Sequence, residues 1–180
     1  MWSSGLMTDN PPELMLVSGA ANSGNIVGWF ISTKLDGIRV TTHGQNIITR
    51  GGIILPIKHG VRLRPGVRLD GELTMNNLFR SPGNRHSNDD VMRELSRGNY
   101  GALRVVWFDI MLQAPFRDRL RLLQSIHCLQ SGHTRIGNLP HLNEILAGLM
   151  AAGHEGAVLR NPYAVYASGR SNKNCFKVKF

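Results

Sequence analysis

A lysine at the end of an apolar segment is the first residue of this chain whose surroundings suggest chemistry. Lys34 follows the apolar run 27–31 and precedes Asp36-Gly37, a dipeptide that favours a tight turn between two strands. At such a place a lysine is partly desolvated, and Arg39 adds a second cation. Both effects favour the neutral amine, which is the form that attacks an electrophile. The segment predicts a covalent lysine nucleophile. The alternative is a pair of solvated charges on a hairpin.

Two glutamates and two lysines could serve such a nucleophile. Glu72 and Glu155 each have a glycine beside them, which lets a ligand approach the backbone closely. Lys177 and Lys179 alternate in an extended segment, so they should share one face. Nucleotidyl transfer needs an amine nucleophile, carboxylates for a divalent cation and cations that neutralise phosphates. The alternative for each glutamate is a solvated surface charge.

An aromatic pair lies in the most apolar strand that the sequence predicts, residues 104–111. Trp107 and Phe108 would ordinarily belong to a hydrophobic core. A flat apolar wall is also what a nucleotide base requires. Asp109 follows them and is either a ligand or a structural hydrogen-bonding residue.

In order, these segments resemble the covalent nucleotidyltransferases, the superfamily of ATP-dependent DNA ligases, RNA ligases and mRNA-capping enzymes. Residues 32–39 are similar to the KxDGxR signature, residues 106–109 to the motif whose aromatic stacks on the purine, and residues 177–179 to the terminal KxK pair. Residues 155–162 resemble the EGxxxRxP pattern of DNA ligases, and residues 166–171 a segment of minimal ligases. The resemblance extends from about residue 29 to 180.

The resemblance implies an α+β nucleotidyltransferase (adenylation) domain of the DNA ligase and mRNA-capping type. Antiparallel sheets flanked by helices would enclose a nucleotide cleft. Lys34 would attack ATP and become lysyl-AMP, and the AMP would pass to a 5′-phosphate end so that a nick is sealed. The cofactors would be ATP and Mg²⁺ or Mn²⁺, and the partner nicked duplex DNA, with RNA as an alternative.

The same resemblance implies roles for individual residues. Phe108 would stack on adenine. Glu72 would contact the ribose and, with Glu155, the metal. The other nucleotide contacts would be Thr33, Arg39, Lys177 and Lys179, and the nucleic-acid contacts Arg50 and Arg170. DNA ligases usually carry a glutamate where this chain has Thr33, so the substrate assignment has rivals: an RNA ligase, an RNA-capping enzyme, or a non-catalytic nucleic-acid-binding remnant.

Composition is consistent with a polyanionic partner. The 180 residues carry a formal charge of +9, and such an excess of Lys and Arg favours nucleic acid. Two cysteines and seven scattered histidines indicate neither a disulfide framework nor a structural metal. No segment reads as a secretory signal or a membrane span, so we expect a cytoplasmic monomer without membrane contact.

Periodicity and turn residues divide the chain into a lead-in, residues 1–26, and one domain, residues 27–180. The printed sequence ends after the KxK strand, so the expectation is no C-terminal OB barrel, or one supplied by a partner chain. We predict that residues 27–31 and 38–42 form a strand pair and that a run from residue 53 stops at Pro56. Further predicted strands are 47–50, 67–74, 104–111, 156–160 and 175–180, and predicted helices are 91–95, 116–129 and 141–152.

Overall fold

The computed structural model describes residues 15–18, 26–77, 79–81, 84–167 and 169–180 of the chain. The strands are β1 (Met15–Ser18), β2 (Phe30–Thr33), β3 (Ile38–His43), β4 (Asn46–Thr49), β5 (Ile54–Lys58), β6 (Leu69–Met75), β7 (Phe79–Ser81), β8 (Asn84–Arg85), β9 (Leu103–Ile110), β10 (Thr134–Arg135), β11 (Gly156–Arg160) and β12 (Gly169–Lys179). The helices are α1 (Asn88–Ser96), α2 (Phe116–Gln124) and α3 (Leu139–Ala151), with a 3₁₀ turn at Tyr100–Ala102.

Two five-stranded sheets form the body of the fold. Sheet 1 has the order β1-β12-β11-β2-β10, and sheet 2 has the order β5-β4-β3-β6-β9. Their strands pair antiparallel, except that β1 runs parallel to β12. This architecture confirms the predicted α+β class with antiparallel sheets and flanking helices.

Each sheet has its own apolar core. Leu73 and Trp107 of sheet 2 belong to one buried cluster with Val91 of α1 and Leu123 of α2. Ile31 of sheet 1 belongs to a second cluster with Leu142 of α3. Because side chains alternate along each strand, the face of each sheet opposite its core can line the space between the two sheets. Among the described helices, none has both the length and the apolar character needed to cross a membrane.

The predicted pairing of residues 27–31 with residues 38–42 is wrong. β2 belongs to sheet 1 and β3 to sheet 2, so the segment 34–37 crosses from one sheet to the other instead of closing a hairpin. Before crossing, Lys34 still donates its backbone N–H to the Gly156 carbonyl oxygen at 2.9 Å. Gly37 then passes the backbone of β6, where a Cβ atom would lie 2.2 Å from the Leu73 carbonyl oxygen. Glycine is therefore required here for close approach, not for a two-residue turn.

Three predicted boundaries also differ from the structure. Pro56 lies inside β5 and does not end it, because β5 is an edge strand and a proline there removes no ladder hydrogen bond that the sheet needs. α2 ends at Gln124, short of the predicted residue 129, and the side-chain amide of Gln130 donates to the Leu123 and Ile126 carbonyl oxygens at 2.6 and 2.9 Å. β12 begins at Gly169, earlier than predicted.

A buried ion pair joins α2 to sheet 2. Arg119 Nε and Nη2 donate to the Asp109 carboxylate at 2.7 and 3.0 Å, and both side chains are at most 1% exposed. Asp109 Oδ1 also accepts the N–H of Ile110, its neighbour in β9, at 2.8 Å. These contacts favour the structural alternative for Asp109.

Candidate active site

A cleft between the two sheets contains most of the residues that the sequence predicts to bind nucleotide. β2, β11 and β12 contribute one wall, and β3, β6 and β9 contribute the other. The lining residues are Ser32, Thr33, Lys34, Leu35, Arg39, Glu72, Phe108, Val158, Arg160 and Lys177. Residues separated by more than a hundred positions therefore share one concave space, as a ligand site requires.

Lys34 lies at the end of β2 and is held by Glu155. The Lys34 Nζ donates a hydrogen bond to Oε2 of Glu155. Lys179 Nζ lies 3.2 Å from Oε1 of the same carboxylate. Glu155 immediately precedes β11, the strand beside β2, and this adjacency brings the two side chains together. Partial burial would raise the pKa of Glu155, but the hydrogen bonds and charges of Lys34 and Lys179 outweigh it and hold that pKa below its usual range.

Glu72 lies on the opposite wall and pairs with Arg39 in the β6–β3 register. Burial raises the pKa of the Glu72 carboxyl to about 7, although Arg39 and Lys34 act in the lowering direction. Asp70 and Asp36 add to the rise because their negative charges oppose ionisation of a third carboxyl. The Glu72 carboxyl therefore keeps its proton to higher pH than an ordinary glutamate, unlike that of Glu155.

Phe108 lies in β9 and is only 7% exposed. The Arg39 guanidinium carbon lies 4.6 Å from the centre of its ring, and that of Arg160 lies 5.0 Å away. Both distances are within the range of cation–π contacts. The predicted base-stacking residue thus brings two cations to the cleft, and cations attract phosphates.

The site includes three residues that were not predicted from the sequence as site residues: Asp70, Tyr166 and Arg160. Arg39 donates through Nε and Nη2 to the two oxygens of Asp70, each at 2.5 Å, and Tyr166 donates its hydroxyl to Asp70 Oδ2 at 2.6 Å. Arg160 is 5% exposed and donates to Ser32 Oγ at 3.1 Å, while its buried Nε has no partner in the structure as described. The alternation of residues 70 and 72 in one strand could have indicated Asp70. Arg160 and Tyr166 lie in the segments 155–162 and 166–171 that resemble ligase patterns, but those patterns do not show which residues they contact.

Of the two predicted nucleic-acid residues, Arg50 does not line the cleft. Arg50 is exposed in the turn after β4, and its backbone N–H donates to the Arg39 carbonyl oxygen at 3.1 Å, so this turn adjoins the start of β3. Arg170 has a backbone position in β12 opposite Leu16, and its side chain lies outside the described part of the chain. Lys179, a predicted nucleotide contact, does not line the cleft either, since 60% of its side chain is exposed and its Nζ contacts Glu155 Oε1.

Within the described ranges, no three His, Cys, Asp or Glu side chains gather into a metal-binding group. Glu72 and Glu155 nevertheless both act on Lys34, one through its charge and the other through a hydrogen bond. One or two carboxylates together with substrate phosphates are the usual ligands of Mg²⁺ at nucleotide sites. The donor set fits a cation that arrives with a nucleotide.

Comparison with known proteins identifies the family. Residues 62–179 match the model of the ATP dependent DNA ligase domain. The DNA ligase of Haemophilus influenzae is 29% identical over 171 residues, which cover 89% of this chain and 61% of that ligase. The chain thus spans about three fifths of the length of this relative.

Two solved structures share the fold. One comes from a structure–function analysis of Lig E DNA ligases, with a TM-score of 0.69 and 24% identity over 94% of this chain and 69% of that one. The Chlorella virus DNA ligase-adenylate gives a TM-score of 0.67 with 15% identity and the same coverage. The match of the family model to most of the chain, together with a fold that these ligases share, shows that the chain belongs to the ATP-dependent DNA ligase domain family.

Proposed function

We propose that this chain is the nucleotidyl-transfer unit of an ATP-dependent DNA ligase and that Lys34 carries AMP as a covalent intermediate. The observation that supports this most directly is the grouping of Lys34, Glu72, Phe108 and Lys177 around one cleft, with Glu155 bonded to the lysine. The likeness to a ligase-adenylate structure is in keeping with the same chemistry.

In the first step, the Lys34 amine attacks the α-phosphorus of ATP. A nitrogen–phosphorus bond forms, the bond from the α-phosphorus to the bridging oxygen breaks, and pyrophosphate leaves with the electron pair. The lysine must first lose a proton, and Glu155 is the carboxylate that its Nζ already contacts. Glu155 therefore both orients the nucleophile and offers the nearest acceptor for that proton.

The cations of the cleft act on the phosphates. Lys177 and Arg39 lie on opposite walls, so a triphosphate between them meets positive charge from both sides. Fixed cations aimed at oxygens that gain charge in the transition state stabilise it without reorganisation. When bound, Mg²⁺ or Mn²⁺ would be held by Glu72 and Glu155 with phosphate oxygens, and it would supply further neutralisation of that charge.

In the next two steps AMP passes from Lys34 to the 5′-phosphate of nicked duplex DNA, and a 3′-hydroxyl then displaces AMP. We propose that the protein does this as a monomer and that the formal charge of +9 attracts the phosphate backbone. Arg50 and Arg170 are the proposed contacts to the nucleic acid. Since this chain spans 61% of the Haemophilus influenzae ligase, sealing is tested separately from self-adenylylation.

Nick sealing by the purified chain tests the proposal. A duplex with a 5′-labelled nick is incubated with the chain, Mg²⁺ and ATP, and a second reaction uses a nick that already carries AMP. Wild type should take label from ATP and seal both substrates, whereas Lys34→Ala should seal only the nick that already carries AMP. Arms with GTP and with an RNA nick distinguish the capping and RNA-ligase alternatives. Binding of nicked DNA without adenylylation or sealing would overturn the proposal in favour of a non-catalytic binding protein.

A further inference from the structure

We propose that Tyr166 is a positioning residue for the nucleotide site and that it acts on Arg39 through Asp70. The inference rests on the proposed function, because the role it assigns is in binding the nucleotide. Tyr166 does not itself line the cleft. Three buried or half-buried groups form the connection, and each contact is a hydrogen bond that involves a charge.

The geometry of the connection is specific. Tyr166 is 4% exposed, and its hydroxyl donates to Asp70 Oδ2 at 2.6 Å. Asp70 is fully buried, and both of its oxygens accept from the guanidinium group of Arg39 at 2.5 Å. A carboxylate in this position is fixed from two sides, since the tyrosine comes from the loop after β11 and the arginine from β3.

The loop that carries Tyr166 is itself held in place by α2 and by the segment just before that helix. The Gln113 side-chain amide donates to the Tyr166 carbonyl oxygen at 2.9 Å. Arg119 Nη1 and the Phe116 N–H both donate to the Ala164 carbonyl oxygen, each at 2.9 Å. Because its backbone is anchored this way, the Tyr166 hydroxyl offers Asp70 a fixed donor.

Arg39 is the end of the connection that meets the nucleotide. Its guanidinium group lies against the Phe108 ring and lines the cleft beside Glu72. Without the tyrosine hydroxyl, buried Asp70 loses one donor, and the arginine alone must satisfy both of its oxygens. The guanidinium group, which donates to both Asp70 oxygens, would then lose the fixed position of its partner and present its remaining donors to the nucleotide less well.

The Tyr166→Phe substitution tests this, because it removes one oxygen atom and keeps the ring. Tyr163→Phe is the matched control, since Tyr163 lies on the same loop, is 67% exposed and has its ring against the Arg117 guanidinium group. We measure the rate of self-adenylylation against ATP concentration, below the unfolding transition of each variant. Tyr166→Phe should raise KM for ATP by about tenfold or more with kcat little changed, the signature of lost ground-state binding.

A double-mutant cycle separates positioning from general loss of packing. If Tyr166 acts through Asp70, the Tyr166→Phe substitution should have almost no further effect in an Asp70→Asn background. Independent additive effects, or a kcat loss with an unchanged KM, would overturn the inference. A wild-type chain that takes no label from ATP would instead overturn the proposed function, so the two failures are distinguishable.

Discussion

The carboxylate of Glu155 accepts a hydrogen bond from the Lys34 Nζ, although the two residues lie 121 positions apart in the chain. The pairing of β11 with β2 brings them together, and the backbone N–H of Lys34 extends that pairing to Gly156. The nucleophile proposed here is thus held from both its backbone and its side chain. A surface lysine of a hairpin would have neither contact.

Replacing Glu155 with glutamine should slow self-adenylylation of Lys34 by about 10²-fold or more, the usual contribution of a general acid or base. The amide keeps the size of the side chain but cannot accept the ammonium proton. Glu144→Gln, an exposed position on α3, is the control and should react at the wild-type rate. Transfer of label from [α-³²P]ATP measures both. An unimpaired Glu155→Gln variant would remove this residue from the mechanism.

Gly37 should tolerate no side chain. Its Cβ would lie 2.2 Å from the Leu73 carbonyl oxygen, so Gly37→Ala should destabilise the fold by about 1–3 kcal/mol and displace the neighbouring lysine. Gly148 in α3 has no neighbour within 4 Å of the corresponding position. Gly148→Ala should therefore be neutral or stabilise by up to about 1 kcal/mol. Urea unfolding of the two variants compares the signs, and equal effects would contradict the close approach.

Stability should fall as pH rises through the titration of Glu72. Burial raises the pKa of this carboxyl from its usual 4.5 to about 7, so between these values the folded state holds a proton that the unfolded state has lost. The folded state then binds more protons, and linkage makes the free energy of unfolding decrease with pH by up to about 3 kcal/mol.

Glu72→Gln should remove this part of the pH dependence. Urea unfolding between pH 4.5 and 7.5, with EDTA present, gives the difference between variant and wild type at each pH. His133, whose pKa burial lowers to about 3, acts in the opposite direction below pH 6.5 in both proteins and so cancels in the difference. A difference that is constant with pH would show that Glu72 has an ordinary pKa.

Asp109 should matter for stability rather than for the reaction itself. Asp109→Asn leaves the buried guanidinium group of Arg119 without its counter-charge and should cost about 3–5 kcal/mol. Asp118→Asn, at the exposed Asp118–Arg121 pair of the same helix, should cost about 0–1 kcal/mol. Thermal unfolding of both variants checks this. A similar loss at the two positions would contradict a special role for the buried pair.

Much of sheet 2 could be predicted from the sequence because its strands have clear local patterns. β3 and β6 largely alternate between apolar and polar residues, β4 is a short apolar pair bounded by turn residues, and β9 is a long, mostly apolar run, so their positions were predictable to within a few residues. The prediction of a hairpin turn at Asp36-Gly37 was wrong because it, too, used only the local sequence pattern. Its glycine serves a contact with β6, and no local pattern shows that contact.

The site was predictable where chemistry and spacing coincide and not where it depends on packing. Lys34, Glu72 and Phe108 occupy recognisable motifs, and the structure brings all of them to one cleft. Tyr166 and Arg160 contribute through contacts across the fold, and a sequence gives no distance between such residues. The end of α2 was missed because Gln130, from outside the helix, satisfies the Leu123 carbonyl oxygen of its last turn and the Ile126 carbonyl oxygen just beyond it.

Locating AMP on the chain tests the central claim most directly. The purified protein is incubated with ATP and Mg²⁺, digested, and its peptides are sequenced by mass spectrometry beside those of Lys34→Arg, Lys177→Arg and Lys179→Arg. We expect one AMP on the peptide that contains Lys34, and its loss only in the Lys34→Arg variant. AMP on another lysine, or full labelling of Lys34→Arg, would contradict the account.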